Sequence, residues 1–257
     1  MIDTHSHIYL DNYSEDRNTL LKEAQNEGLD KLLLPNIDTS TIEDMHEVVK
    51  LYPKLCYPMM GLHPGSVREN YKDELSEIER YLFAGEYCAV GEIGMDLYWP
   101  ENQEFLKEQK EVLETQMYWA QKLNLPVVIH VRNSFKETLD IVQKFKYDLT
   151  GVFHCFSGSE ADAKQVMDMG FVLGIGGVLT YKKSDLPEIV QYAGIDKLVL
   201  ETDAPFLPPV PHRGKRNIPV YIFLVAQKLS EIMSLDINKV IESTDINAER
   251  IFFTNER

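Results

Sequence analysis

The chain opens with Met1-Ile-Asp-Thr-His-Ser-His7, an apolar start that ends in two histidines one residue apart. Side chains two residues apart in a strand point to the same side, so His5 and His7 can share one metal site. Four later apolar segments end on residues that bind metals or protons, namely Glu92, His130, His154 and Asp203. Strand ends converge in this way in the (β/α)8 barrel, whose active sites lie at the carboxyl ends of its strands.

The rest of the chain alternates short apolar runs with longer amphipathic segments, which is typical of a parallel sheet with crossover helices. Strands are predicted at 1–4, 31–36, 55–61, 88–92, 126–131, 151–154, 171–174 and 197–201. Helices are predicted at 14–26, 41–51, 72–83, 101–123, 134–145, 160–169 and 186–192, with two or three more after Pro219. We therefore expect an α/β fold, a TIM-type barrel forming a single domain over residues 1–257. A doubly wound open sheet is the alternative, because periodicity does not show closure.

Length and composition agree with this architecture and bear on the protein's location. A length of 257 residues is usual for one such barrel. No apolar run approaches the roughly 20 residues of a membrane span, and the amino terminus has no signal-peptide pattern. Three widely spaced cysteines match neither a disulfide framework nor a zinc knuckle. We expect a cytoplasmic protein with no membrane association, and nothing indicates an obligate protein partner.

The candidate ligands are four histidines and two carboxylates, a set that suits zinc or manganese. Two ions are favoured over one, because six ligands around a single ion would leave little room for water or substrate. Glu92 is placed to bridge them, with a hydroxide between the ions. Asp203 is expected to take and return the proton of the attacking water. The plain alternatives are that the histidine pair only hydrogen-bonds loops and that Asp203 is only a ligand.

The net charge of −15 argues against broad nucleic-acid binding, for which a basic face is expected. Local phosphate contacts are still open to Arg132, which follows His130, and to the basic cluster that contains Arg213 and Arg216. A guanidinium suits phosphate through paired donors. The alternatives are an ion pair for Arg132 and a solvated charge run for the cluster. Asp96 is expected to hydrogen-bond the loop after the fourth strand.

Several motifs with histidines, carboxylates and basic residues are spread over almost the whole chain: Asp3-Thr-His5-Ser-His7, Gly61-Leu-His63-Pro64, Gly91-Glu-Ile-Gly94-Met-Asp96, His130-Val-Arg132, His154-Cys-Phe-Ser-Gly158, Glu201-Thr-Asp203-Ala-Pro205, Arg213-Gly-Lys-Arg-Asn217 and Asn247-Ala-Glu-Arg250-Ile-Phe252. In their sequence and order, these motifs resemble those of the TatD-like metal-dependent deoxyribonucleases, a branch of the amidohydrolase superfamily.

The resemblance implies a metal-dependent hydrolase of phosphodiester bonds, usually a 3′→5′ exonuclease. It implies that one ion is held by His5, His7, Glu92 and Asp203, and the other by Glu92, His130 and His154. Some members lack the first histidine pair, and its presence here favours the two-metal form. The resemblance also supports His63 as a donor to substrate phosphate, with a surface histidine in a turn as the alternative. Ile218 departs from the family, where many relatives carry an acidic or amide residue.

Three functions follow from these residues. The first is a nuclease acting on DNA ends, or on RNA ends, with two divalent ions that are zinc, manganese or magnesium. The second is an amidohydrolase-type esterase or amidase, for example an aminoacyl-tRNA deacylase, because the same hydroxide attacks a carbonyl. The third is a metal-bearing barrel that only binds, which the intact ligand set argues against.

Overall fold

The computed structural model describes residues 1–253 and contains one sheet of eight parallel strands in sequence order. The strands are β1 (Ile2–Asp3), β2 (Lys31–Pro35), β3 (Cys56–Met60), β4 (Ala89–Asp96), β5 (Val127–Arg132), β6 (Gly151–Phe153), β7 (Val172–Ile175) and β8 (Leu198–Leu200). The predicted parallel α/β barrel is confirmed, and the open sheet is wrong. The predicted domain extended to residue 257, and its last four residues lie outside the described range.

Helices follow the strands on the outside of the sheet. They are α1 (Arg17–Asn26), α2 (Ile42–Leu51), α3 (Tyr71–Ala84), α4 (Pro100–Gln103), α5 (Leu106–Leu123), α6 (Phe135–Val142), α7 (Glu160–Asp168), α8 (Leu186–Ala193), α9 (Ile222–Met233) and α10 (Ile237–Phe252). The single helix predicted over 101–123 is divided into α4 and α5. At the division, the Asn102 carbonyl accepts from the Phe105 amide (3.2 Å) and from the Gln109 side chain (2.8 Å), in place of the bond to the residue four positions on that an unbroken helix would make.

The barrel closes where the chain after β1 meets the chain after β8. The Thr4 amide donates to the Leu200 carbonyl (3.0 Å), and the His7 amide donates to the Ala204 carbonyl (2.7 Å). Ser6 and Ala204 form a parallel bridge, so the backbone stays extended beyond the two short strands. The alternation of side chains expected for His5 and His7 therefore holds even though β1 itself ends at Asp3.

One apolar cluster fills the barrel interior. It takes one residue from each strand: Ile2, Leu33, Met59, Ala89, Val128, Val152, Val172 and Val199. Helix α10 packs Ile251 and Phe252 against this cluster, and its Asn247 amide donates to carbonyls at the start of β8. The amino-terminal end of the barrel is therefore covered by α10, which leaves the carboxyl end for polar groups.

Within residues 1–253, no helix is both long and apolar enough to cross a membrane. Cys56, Cys88 and Cys155 carry free thiols. Burial raises the pKa of all three, so these thiols are poor nucleophiles.

Candidate metal centre

The six predicted ligands converge at the carboxyl end of the barrel, but not all of them end a strand. His5 and His7 follow β1, His154 follows β6 and Asp203 lies beyond β8. Glu92, by contrast, lies inside β4, and His130 lies inside β5. The expectation that all six end strands is corrected here, because β4 and β5 stay paired as far as Asp96 and Arg132.

Glu92 lies at a shift in the strand register between Val90 and Ile93. Such irregularities often lie beside active sites, where they redirect a side chain. The Glu92 amide donates to Asn36 O (3.2 Å), so the backbone here is held by the β2 side of the barrel as well. This local break turns the carboxylate into the mouth of the barrel while β4 continues.

One group of donor atoms surrounds the Oε2 atom of Glu92. His5 Nε2 lies 3.1 Å and His7 Nε2 lies 3.5 Å from this oxygen, and the two nitrogens are 3.3 Å apart. Asp203 Oδ1 lies 3.9 Å from His5 Nε2 and 3.8 Å from His7 Nε2. All four side chains are buried. His5, His7 and Glu92 form one potential ligand group, and Asp203 forms another with His5 and His154.

A second group surrounds the other oxygen, Oε1. His130 Nδ1 lies 2.7 Å and His154 Nε2 lies 2.8 Å from it, and these nitrogens are 3.2 Å apart. His63 Nε2 lies 3.3 Å from the same oxygen. The sequence suggested that His63 contacts substrate, and the structure places it among the potential ligands, with Glu92 and His130.

The donor set fits a divalent cation. At 3.2–3.3 Å, each pair of imidazole nitrogens can share one proton as a hydrogen bond, and a divalent cation would take the place of that proton. Imidazole and carboxylate together suit zinc and manganese. Since Glu92 presents one oxygen to each group, its position matches that predicted for a bridging ligand.

The charges of these side chains depend on one another. Burial alone would raise the pKa of Glu92, but the imidazoles of His154, His63 and His5 hold it well below its usual range. Burial would likewise lower the pKa of His154, yet Glu92 and Glu201 raise it well above 6.5. Glu92 is therefore ionised, and a bound cation would replace the proton that His154 otherwise carries.

Asp203 differs from Glu92 in its proton affinity. Burial raises the pKa of its carboxyl to about 6, although His154 and His7 oppose the shift. Its backbone has a φ of 56°, in the left-handed region, and is held by its amide, which donates to His5 O (2.9 Å). Strained backbone of this kind costs roughly 1–3 kcal/mol and is common at functional sites.

The orientation of His7 is set by Tyr9, a residue that the sequence analysis did not identify. The Tyr9 hydroxyl donates its one proton to Pro35 O (2.6 Å), so it can only accept from His7 Nδ1, which is 2.9 Å away. His7 therefore carries its proton on Nδ1 and keeps the lone pair on Nε2 for the metal site. Hydrogen bonds of this kind orient metal ligands and raise their basicity.

Glu201 is a second residue that was missed, although it stands in a motif quoted above. Its Oε1 accepts from the Cys155 amide (2.5 Å) and lies 3.6 Å from His154 Nδ1. A side chain at Gly174 would place its Cβ 2.4 Å from Glu201 Oε2, so glycine is needed there. The buried Glu201 carboxylate and the glycine that makes room for it, Gly174, therefore lie behind His154.

Asp96 holds the loop after β4, as predicted. Its Oδ1 accepts from the Tyr98 amide (2.9 Å), and its Oδ2 lies 3.4 Å from His130 Nε2. The pKa of Asp96 is lowered, because these contacts outweigh the effect of burial. Asp96 therefore connects the loop to a predicted metal ligand.

The three predicted substrate-binding arginines have different surroundings. Arg132 is exposed and lies over Tyr98, with 3.8 Å from its guanidinium carbon to the ring centroid. Arg213 is exposed and lies 4.2 Å from the ring centroid of Tyr181. Arg216 instead forms an ion pair with Asp16 and donates to Asn12 O. Its charge is already compensated, so Arg132 and Arg213 are better placed for phosphate.

Known proteins have similar sequences over almost the whole chain. The family model described as TatD related DNase matches residues 2–253. An uncharacterized metal-dependent hydrolase of Bacillus subtilis, YabD, is 32% identical over 257 residues, covering 99% of this chain and all of that protein. A homologue from Haemophilus influenzae, also an uncharacterized metal-dependent hydrolase, is 30% identical and covers 97% of this chain and 98% of its own.

Solved structures agree with the sequence comparison. The crystal structure of YjjV, a TatD homologue from Escherichia coli, has a TM-score of 0.92 at 27% identity, covering 99% of this chain and 98% of that one. A TatD family hydrolase from Entamoeba histolytica has a TM-score of 0.84 at 22% identity over 98% of both chains, which shows the fold alone. By its ligand set and these matches, the chain belongs to the TatD-related DNase family and is a metal-dependent hydrolase.

Proposed function

We propose that this protein is a deoxyribonuclease that uses two divalent ions to release nucleotides from the 3′ end of DNA in the cytoplasm. The observation that supports it most is the position of Glu92, whose two oxygens face two separate groups of donor atoms. Two ions a few ångströms apart suit in-line displacement at phosphorus, where an attacking and a leaving oxygen both need stabilisation.

The cations and the side chains of the site have different roles in hydrolysis. When bound, the cations supply Lewis acidity that activates water and stabilises negative charge on phosphate. Asp203 takes the proton of the attacking water and returns it to the leaving oxygen of the sugar. Burial raises the pKa of its carboxyl to about 6 before any cation is bound, and a bound cation would lower it, so the carboxylate is ionised and able to accept the proton.

Phosphate recognition is assigned to the exposed guanidinium groups at the mouth. Arg132 follows His130 by two residues in β5, so both side chains lie on one face of that strand. Arg213 lies in the long loop that follows β8. With a net charge of −15, the protein has no excess of cations to grip a long duplex, which agrees with binding near an end.

The test is a substrate panel with magnesium, manganese or zinc. It contains single- and double-stranded DNA labelled at the 5′ end, RNA of the same sequence and an aminoacyl-tRNA. We expect a ladder of 5′-labelled DNA products shortened one nucleotide at a time, and no such products with Asp203→Asn. Products cut only internally would refute the exonuclease assignment, and activity confined to RNA would refute the DNA assignment.

The second candidate function is hydrolysis of a carboxylic ester or amide, such as an aminoacyl-tRNA ester. The acidic net charge favours an ester or amide that is not part of a nucleic acid, because such a substrate needs no cationic contact. Arg132→Ala and Arg213→Ala separate the two. A charged hydrogen bond is worth roughly 1.5–3 kcal/mol, about ten- to a hundredfold in rate. A loss of that size in the rate of DNA cleavage supports the nuclease. Ester cleavage that is faster than DNA cleavage and unchanged by both substitutions supports the esterase.

A further inference from the structure

An exposed aromatic pair lies beside the metal centre. Tyr98 and Trp99 have exposed fractions of 46% and 49%, and their rings meet edge to face with centroids 4.8 Å apart. The Arg132 guanidinium carbon lies 3.8 Å from the Tyr98 centroid and 5.8 Å from that of Trp99. Large aromatic rings are costly to leave in water, so a group of this kind at the mouth of a site marks a surface for a ligand.

Hydrogen bonds hold the loop that carries the aromatic pair in a defined position. The Leu97 amide donates to Arg132 O (2.8 Å), and the Tyr98 amide donates to Asp96 Oδ1 (2.9 Å). The buried Gln109 side chain donates to Asp96 O (3.2 Å) and accepts from the Asp96 amide (2.9 Å). Since Asp96 Oδ2 lies 3.4 Å from His130 Nε2, the loop has a defined position relative to the predicted metal ligands.

We propose that Tyr98, Trp99 and Arg132 form a stacking subsite for a nucleobase near the reacting end of a single-stranded DNA substrate. The inference rests on the proposed nuclease function and assigns three side chains to the base and phosphate of one nucleotide. Aromatic faces and a guanidinium plane stack on any base, and the guanidinium also contacts phosphate. A base inside a duplex has both faces covered and its pairing edge occupied, so it must leave the duplex before it can stack here.

One combination of features argues for a nucleotide over a protein partner. The aromatic rings are combined with a cation within reach of the hydrolytic centre, which matches the base and phosphate of one nucleotide. Tyr147, whose exposed fraction is 89%, lies beyond α6 and has a lysine, not an arginine, over its ring. Exposed aromatic residues therefore occur elsewhere on the protein, and Tyr147 provides a matched control.

The first experiment compares the metal-loaded enzyme with Trp99→Ala, Tyr98→Ala and the control Tyr147→Ala on single-stranded DNA. Each of the last three nucleotides is replaced in turn by an abasic residue. Stacking on one base corresponds to about 5- to 150-fold in kcat/KM. We expect a loss in this range for Trp99→Ala or Tyr98→Ala on normal DNA, much less loss when one particular base is absent, and no change for Tyr147→Ala.

A second experiment measures the same contact by tryptophan fluorescence, without cleavage of the DNA. The chain has two tryptophans, and Trp119 is buried, so quenching by added DNA reports on Trp99. A phosphorothioate oligonucleotide should quench the fluorescence of the metal-loaded protein, and the quenching should vanish in Trp99→Phe. It should weaken when the critical base is removed.

The outcomes distinguish this subsite from the proposed function. Equal losses on normal and abasic DNA, or no quenching with unchanged kcat/KM, would overturn the stacking proposal while the nuclease stands. Absence of DNA cleavage by the wild-type enzyme with every metal would refute the nuclease. Preference for blunt duplex over single-stranded ends would also overturn the subsite, because no free base would be presented.

Discussion

At the scale of single residues, Glu92 and Asp203 are both buried carboxylates, yet their surroundings give them different proton affinities. Imidazoles on several sides keep Glu92 ionised, whereas burial raises the pKa of Asp203 to about 6. A residue that is always charged suits a metal ligand, and one with a pKa nearer neutrality suits proton transfer. The two carboxylates therefore have different expected roles.

The role of Asp203 is tested by Asp203→Asn. Asparagine keeps one ligand oxygen but is a poor base, so the variant should retain metal and lose activity by about 10²–10⁴-fold. Metal content after dialysis and kcat on single-stranded DNA are the two measurements. Full activity with metal bound would mean that Asp203 acts only as a ligand. Loss of metal would mean that the lost activity comes from the lost ion and not from the lost base.

The role of Tyr9 is tested by Tyr9→Phe, which removes the acceptor of the His7 Nδ1 proton with little change in volume. Loss of a hydrogen bond behind a metal ligand typically weakens metal affinity or activity by about 10–100-fold. Competition with a fluorescent chelator measures the affinity. Tyr13→Phe is the matched control, because that buried hydroxyl donates to Asn217 O, away from the donor groups. Equal effects of the two substitutions would mean that Tyr9 acts only through packing.

At the scale of elements, the contact between β1 and β8 decides both barrel closure and the position of His5. The buried Asp3 carboxyl meets the Thr202 amide (3.0 Å), the Thr202 hydroxyl (2.6 Å) and the His5 amide (3.2 Å). Burial raises the pKa of Asp3 to about 8, against the three hydrogen bonds, so the neutral form of the carboxyl is favoured near pH 7. A neutral group at this position joins the first and last strands.

Two substitutions test that interpretation of the β1–β8 contact. Asp3→Asn keeps an acceptor toward the two amides and presents a donor to Thr202, as the protonated acid does. Asp3→Ala leaves buried donors unpaired, each costing roughly 1–3 kcal/mol. We expect thermal unfolding of the metal-free protein to show a much larger loss of Tm for Ala than for Asn. Equal losses would indicate that an ionised Asp3 is required.

At the scale of the whole molecule, the predicted ligands come from β1, β4, β5, β6 and β8 or the segments after them, so metal binding links distant parts of the barrel. A ligand at a hundred times its Kd stabilises the folded state by about 2.7 kcal/mol. For a domain of this size, that corresponds to a fall in Tm of about 5–10 °C when a chelator removes the metal. Calorimetry with and without chelator measures it, and an unchanged Tm would contradict the link.

The two-ion arrangement is tested by metal content. Glu92→Ala should lose both ions, because one carboxylate faces both groups, whereas His130→Ala should lose chiefly one. His46→Ala, a histidine outside the site, is the control and should keep the wild-type content. Two ions retained by Glu92→Ala would rule out bridging.

The sequence by itself determined the order of strands and helices along the chain and the set of predicted ligands, whereas the tertiary structure decided that the sheet closes into a barrel. The order of elements and the ligand set depend on local patterns: apolar periodicity marks each element, and a histidine or carboxylate that interrupts an apolar run is visible without its neighbours. The same local basis explains the errors. The extent of β4 beyond Glu92 depends on its pairing with β5, and the break between α4 and α5 involves a side-chain hydrogen bond from Gln109.

Only the tertiary structure decided which atoms meet. It paired Arg216 with Asp16, placed Glu201 behind His154 and brought Arg132 over Tyr98. It also placed His63 among the ligands and fixed the tautomer of His7 through Tyr9 and Pro35. Most of these contacts join residues far apart in the chain, and all of them depend on hydrogen-bond geometry at the level of single atoms. Periodicity along the chain carries no information about such contacts, because they arise only once the barrel has closed.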